Sequence, residues 1–190
     1  MASRKPLRLG HPTLREPAAA YDASLISTPE FTELRATLVD TMREYNGVGI
    51  AGPQIGVPRR VIVIEVRENN PRYPEQGTFP LVTLVNPELT LLHSASVASA
   101  EGCLSIPGLR GIAMRHPRVS VSGLDDRGNA IKLDLDGFPA IISQHEVDHL
   151  DGHLYVDRLR GTFALAFQEE ALEHGTLSQE YLNGVEGRFR

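Results

Sequence analysis

The chain has 190 residues, enough for one domain with a real core, and carries a net charge of −5 with 41% hydrophobic and 23% charged residues. That balance is ordinary for a soluble globular protein and argues against a binder of duplex nucleic acid, which usually carries a basic face. No apolar run is long enough to span a bilayer, Met1–Gly10 lacks the apolar stretch of a secretory signal, and a lone cysteine, Cys103, excludes an internal disulfide.

Residues 1–20 read as an extended arm packed on the rest. A helix starts at Ser27 or Thr28, with Pro29 in its first turn, Glu30 placed as in a capping box, and Phe31, Leu34, Leu38 and Met42 as its apolar stripe. It stops near Asn46 or Gly47. The run Gly47–Gly56 is too rich in small residues for helix or regular strand and suits either a plain turn or a loop that approaches a ligand closely. It does not fit a dinucleotide fingerprint, because it follows a helix and precedes Pro58 and a strand.

Val61–Val66 is a strand by its β-branched density. Residues 67–80, with three prolines, read as a mobile loop. Leu81–Val85 is a second strand ended by Asn86-Pro87, and Leu89–Val97 a weaker third. Glu101–Gly108 reads as a loop with short extended pieces. Strands around Val119–Val121 and at Ala130–Leu135 form a hairpin turned by Asp125-Asp126-Arg127-Gly128. A last helix spans Phe163–His174, and the tail from Gly175 to Arg190 carries weak order signals. Strands in a central block with helices early and late predict an α+β fold, mostly antiparallel sheets packed around a central helix. The whole chain, 1–190, reads as a single domain, with a core over about 5–160 and a C-terminal helix and tail over 161–190.

That central helix holds His145-Glu146-Val147-Asp148-His149. Asp136 suits its N-cap, Pro139 its first turn and Gly152 its C′ position. Phe138, Ile141, Ile142, His145 and His149 then share one stripe, so both imidazoles lie on one face, one turn apart, able to hold a metal ion. Glu146 flanks that face, within reach of a water there. Two packed core histidines around a solvated glutamate are the plainer alternative.

A catalytic metal site wants a third protein ligand. An extended histidine pattern would need a histidine at 155, where the chain has Tyr155. Glu169 or Glu170 could complete the site, although their surroundings look like a solvated helix face. Cys103 is the third option, since a thiolate binds zinc or iron(II) well.

Three stretches taken together, Gly47-Val48-Gly49-Ile50-Ala51-Gly52-Pro53-Gln54, Glu101-Gly102-Cys103-Leu104-Ser105 and Gln144–Gly152, resemble in order and separation the three motifs of peptide deformylases. The resemblance covers roughly residues 5–160. It implies a hydrolase that removes the formyl group from the N-terminal formylmethionine of new polypeptides. It implies Cys103, His145 and His149 as ligands of one divalent metal, iron(II) first, with zinc, nickel or cobalt able to replace it. A metal-activated water would attack the formyl carbonyl, Glu146 would be general acid/base, and Gln54 and the Leu104 N–H would be oxyanion donors. Gly49 would approach the substrate main chain, with Ile50 and Gly52 in the same substrate-binding loop, and Arg110, Phe138, Ile141 and Ile142 would border a methionine pocket. Glu101 would be an anion behind the ligands, partnered by Arg115. Gly52 stands where the family usually has Ala, which would loosen the loop, and the 67–80 segment is longer than in the shortest members. Partners would be formylmethionyl nascent peptides, with a transient ribosome contact left open; there is no nucleic-acid motif and no membrane segment. The setting would be bacterial cytoplasm, or an organelle after processing. A zinc metallopeptidase and a non-catalytic metal-binding module of the same fold are the alternatives.

Overall fold

The computed structural model describes residues 3–178 and 180–182. The expected tail from Gly175 onward therefore lies partly outside the described residues. In chain order come α1 (Pro29–Glu44), β1 (Gly49–Ala51), β2 (Val61–Val66), β3 (Phe79–Leu91), β4 (Val97–Cys103), β5 (Ile106–Arg115), β6 (Arg118–Leu124), β7 (Ala130–Asp136), α2 (Phe138–Leu150), β8 (Leu165–Phe167) and α3 (Gln168–His174), with short 3-10 turns between them. Among the described residues the strands form two antiparallel sheets, one of order β1-β2-β3-β6-β7 and one of order β4-β5-β8. The α+β class with mostly antiparallel sheets is as expected.

The larger sheet is covered on both faces at β2, which is why Val61, Ile62, Val63, Ile64 and Val66 are apolar on both sides of the strand, with only Glu65 polar. Ile62, Ile64 and Val66 face α2, packing with Ala140, Ile142, Val147 and Leu150. Val61 and Val63 face α1, packing with Phe31, Leu38, Val39 and Met42. Thr28 caps α1 by accepting a hydrogen bond from the Phe31 N–H, and Asn46, at φ 54°, ends the helix. The N-terminal arm packs as expected: Leu7 N–H bonds Gln54 O, Leu9 N–H bonds Ser105 O, and Leu14 is fully buried.

Several expectations are corrected. Gly49–Ala51 is a strand, paired along β2. The second and third expected strands are one, β3, which passes through Asn86 and Pro87 by a register shift between Val85 and Glu88. The Asn86 side chain stabilises that bulge by bonding both N–H and C=O of Tyr21. Most of Glu101–Gly108 belongs to the β4–β5 hairpin. The segment 67–78 is tied down by buried Asn70 and by Tyr73. Phe163–His174 is not one helix: Leu165–Phe167 pairs with the edge of β5 before α3 begins. Asp136 is no cap; it ends β7 in an ion pair with Arg118, and Gly137, at φ 63°, precedes α2.

Candidate metal centre

α2 runs across the inner face of the larger sheet, and most of its circumference is buried. The expected division into a buried stripe and a wet face does not hold, because Gln144, Glu146 and Asp148 are buried as well. Gln144 and Asp148 have structural reasons. The Gln144 amide bonds both N–H and C=O of His116, fastening the helix to the β5–β6 connection. Asp148 receives Arg115 Nη1 at 2.5 Å and Arg158 Nη2 at 2.9 Å. Gly152, at φ 76°, follows the last turn, where a Cβ would meet Arg15 O.

Cys103 ends β4, at the register shift between Glu101 and Cys103, and there meets the two histidines of α2. Its Sγ lies 3.2 Å from His149 Nε2, and donor atoms of Cys103, His145 and His149 all lie within 4.8 Å of one another. Ligand atoms of a tetrahedral zinc-type site are roughly 3.3–3.8 Å apart, so the set fits one divalent ion. The histidine that needs orienting is oriented: His145 Nδ1 is 2.7 Å from Glu101 Oε2, which leaves Nε2 for a metal. Behind it Arg115 grips both Glu101 oxygens, at 2.7 and 3.1 Å. The chain of contacts runs His145–Glu101–Arg115–Asp148–Arg158. Glu169 and Glu170 are exposed on α3 and take no part.

The electrostatics match a site built for a cation. Burial alone would raise the Cys103 thiol, but the imidazoles of His149 and His145 outweigh it and hold the group well below the usual thiol value. Burial opposes ionisation of Glu101 too, yet His145 and Arg115 bring it down to about 2. Glu146 goes the other way. Burial pushes its carboxyl up to about 7, only partly offset by the histidines. Its Oε2, like His149 Nδ1, is buried without a hydrogen-bond partner. A lone buried carboxylate of this kind marks a functional group more often than a structural one.

Beside these residues lies a partly open cavity. Gly49, Gln54, Leu104, Phe138, Ile141, Ile142, His145 and Glu146 all border it. Gly49 is required there: a Cβ would run into Glu146 Oε1 and stand 2.8 Å from its Cγ and Cδ. Gln54 is held by Ala51 N–H on its Oε1 at 2.8 Å, and its Nε2 faces Ser105 Oγ at 3.2 Å and Cys103 Sγ at 3.5 Å. Arg110 lies outside, on an adjoining groove. The Ile50 side chain faces the α1 core rather than the cavity. Gly52 does not loosen its loop. A Cβ there would sit 2.6 Å from Arg59 O and 2.7 Å from Val57 O, so the glycine lets the following turn fold hard against it. Arg72 and Tyr73 also border the cavity, a placement that the proline-rich sequence around them gave no period to reveal.

Residues 4–163 match the family model described as Polypeptide deformylase. A peptide deformylase of Leptospira biflexa is 39% identical over 179 residues, covering 93% of this chain and 99% of that relative. Peptide deformylase 1 of Prochlorococcus marinus is 40% identical over 179 residues, covering 94% and 92%. Among solved structures, the Met-Ala-Ser-bound class I type b peptide deformylase of Acinetobacter baumannii superposes with a TM-score of 0.80 at 39% identity, covering 83% of this chain and 99% of that one.

Proposed function

Because this chain belongs to the polypeptide deformylase family, enzymes that remove the formyl group from nascent peptides, we propose that Cys103, His145 and His149 hold its metal ion and that Glu146 moves the protons. The chain is a hydrolase of N-terminal processing in protein biosynthesis. One observation carries the assignment of residues: the three donors converge beside a buried, unpartnered carboxylate at the end of a cavity with apolar walls.

A divalent metal held by these donors supplies Lewis acidity at that end of the cavity. Glu146 takes a proton from the attacking water and later delivers one to the leaving amine, and a carboxyl near neutrality suits both transfers. The Gln54 amide and the Leu104 N–H donate to the developing oxyanion; losing one such donor typically costs about 10²–10³ in turnover. Phe138, Ile141 and Ile142 form the wall for the methionine side chain, and Arg110 borders its rim. Gly49 and Ile50 belong to the edge strand of the larger sheet, where an extended peptide can add by main-chain hydrogen bonds, with Gly52 just beyond.

Iron(II) is the native metal in this reading, with zinc, nickel and cobalt accepted by the same thiolate and imidazole donors. In this reading the protein acts on formylmethionyl chains in the bacterial cytoplasm or, after processing, in an organelle. No helix among the described residues is long and apolar enough to cross a membrane. Formate release from a formyl-Met peptide, run beside hydrolysis of an internal peptide bond, tests the activity. Cleavage of the internal bond without formate release would restore the metallopeptidase alternative. Anaerobic purification with metal analysis and activity per metal tests the iron assignment.

A further inference from the structure

The segment between β2 and β3 carries an arginine that the site as described leaves unused. Asn70 pins the segment at one point: its amide donates to Asn46 O at 3.4 Å and Gly47 O at 3.5 Å, and its Oδ1 accepts the Arg72 N–H at 2.9 Å. Tyr73 pins it at another. Its ring lies 4.9 Å from that of Phe138, and its hydroxyl accepts Arg110 Nη1 at 3.2 Å, with the Arg110 guanidinium over the ring. Arg72 stands between these anchors. It borders the reactive cavity, the groove beneath Tyr73 and β4, and a third cleft past Leu104, Pro107 and Leu109.

Arg72 borders all three spaces, and it forms no ion pair with a carboxylate among the described residues. Its guanidinium carbon lies 5.7 Å from the centroid of the Tyr73 ring. Of the site's carboxylates, Glu101 is gripped by Arg115, and Glu146 packs against Gly49 and reaches Arg72 only through its field, without an ion pair. Arg110 is engaged by Gln168 and Tyr73. A half-buried arginine without an anion is unusual, because the planar fork is built to hold a carboxylate. The chain as a whole is acidic, with a net charge of −5, so its general field repels an acidic peptide. Arg72 reverses that sign locally at the mouth of the cleft.

We propose that Arg72 is a specificity-determining residue that receives a substrate carboxylate, an acidic side chain at the second or third position of the formylated peptide. This rests on the deformylase reading, since it presumes formylmethionine seated against Phe138, Ile141 and Ile142. Arg72 is partly exposed, so the pairing gives a modest, salt-sensitive preference.

The test uses metal-loaded full-length enzyme and formyl-Met peptides carrying Glu, Gln or Lys at position two, and a second set varied at position three. Formate release gives kcat/KM. In one of the sets the wild type should prefer Glu over Gln by about three- to tenfold at low salt, with Lys poorest, mainly through KM. Salt at 0.5 M should shrink the preference. Arg72→Gln should bring the Glu/Gln ratio to about one, and Arg72→Lys should keep part of it. A wild-type ratio near one in both sets overturns the proposal without any variant. So does a ratio that Arg72→Gln leaves unaltered, including a loss shared equally by all peptides. If wild-type enzyme releases no formate from the Gln peptides either, it is the deformylase reading that fails.

Discussion

His145 rests its Nδ1 on Glu101 Oε2 at 2.7 Å, and Glu101 is itself gripped on both oxygens by Arg115. The α2 ring that faces Cys103 is thus oriented by a carboxylate from β4, the strand that Cys103 ends, and that carboxylate is in turn oriented by a buried cation. Glu101→Gln weakens the first link and leaves Arg115 with one anion, Asp148. Outer partners of this kind are worth about 10–100-fold in metal affinity. Metal retention during titration with a chelator should fall by that factor in Glu101→Gln. Retention equal to wild type would show that the ring is oriented by packing alone.

Gly49→Ala tests the closeness of β1 to α2. The new Cβ would occupy the space of the Glu146 carboxylate, while Cys103, His145 and His149 stay where they are. The variant should keep its metal and lose about 10²-fold in kcat, the usual consequence of moving a reacting group by an ångström. Wild-type turnover in this variant would mean that Glu146 has room to step aside and still act.

If Glu146 carries the proton and Cys103 is a ligand, removing one and removing the other should fail differently. Glu146→Gln should bind metal normally and lose about 10²–10⁴ in formate release, the typical contribution of a general acid/base. Cys103→Ala should lose metal first and activity as a result. Metal content measured beside activity separates the two. If Cys103→Ala keeps its metal, Glu169 and Glu170 return as ligand candidates despite their exposure on α3.

These residues also show what a sequence can and cannot carry. Val61–Val66 and the stop at Gly152 were legible because β-branched density and a left-handed glycine are local signals. Gly49–Ala51 was not, since its strand exists by pairing with β2 rather than by its own propensity. Most of Glu101–Gly108 hid a hairpin behind Gly102, Pro107 and Gly108, and Leu165–Phe167 yielded to the free edge of β5. The three candidate donors, Cys103, His145 and His149, were legible as motif residues. The contacts of Asp148 with Arg115 and Arg158, and the position of Arg72, depend on where distant segments meet, and no spacing along the chain encodes that.

Acid should unfold this protein through the same network. Glu101 has a folded pKa of about 2 against an ordinary 4.5, and Asp148 is also held below its ordinary value, burial being outweighed by Arg158 and Arg115. Both are depressed, so their contribution is complete above the unfolded values and is lost as pH falls through the folded ones. At pH 3.5 the unfolded chain binds more protons than the folded one, and each such carboxylate adds up to ~1.4 kcal/mol per pH unit to the slope. Urea unfolding with chelator present throughout, so that metal release adds nothing to the slope, should show stability falling steeply from pH 4.5 toward 2, whereas the raised Glu146 carboxyl acts in the opposite sense, its contribution being lost as pH rises from 4.5 toward 7. Glu101→Gln should flatten that fall, and an unchanged slope would place the acid-sensitive carboxylates elsewhere.

Gly52→Ala sets two effects of opposite sign against each other. Gly52 is not in the left-handed region, so alanine meets no backbone strain, and the less flexible unfolded chain would stabilise the fold by about 0.4–1 kcal/mol. Against this, the Cβ arrives 2.6 Å from Arg59 O and 2.7 Å from Val57 O. Those carbonyls are backbone, and the turn is knit by Val57 N–H to Gly52 O, Arg59 N–H to Val57 O and Val61 N–H to Arg59 O. A turn bonded at three points cannot yield like a flexible side chain, and such overpacking costs about 1–3 kcal/mol. The clash should win, lowering the thermal midpoint by roughly 2–8 °C at this chain length. Activity should fall too, because Gln54 lies two residues on and takes its orientation from Ala51. A raised midpoint with full activity would show instead that the Val57–Arg59 turn shifts freely and that the glycine is tolerated rather than required.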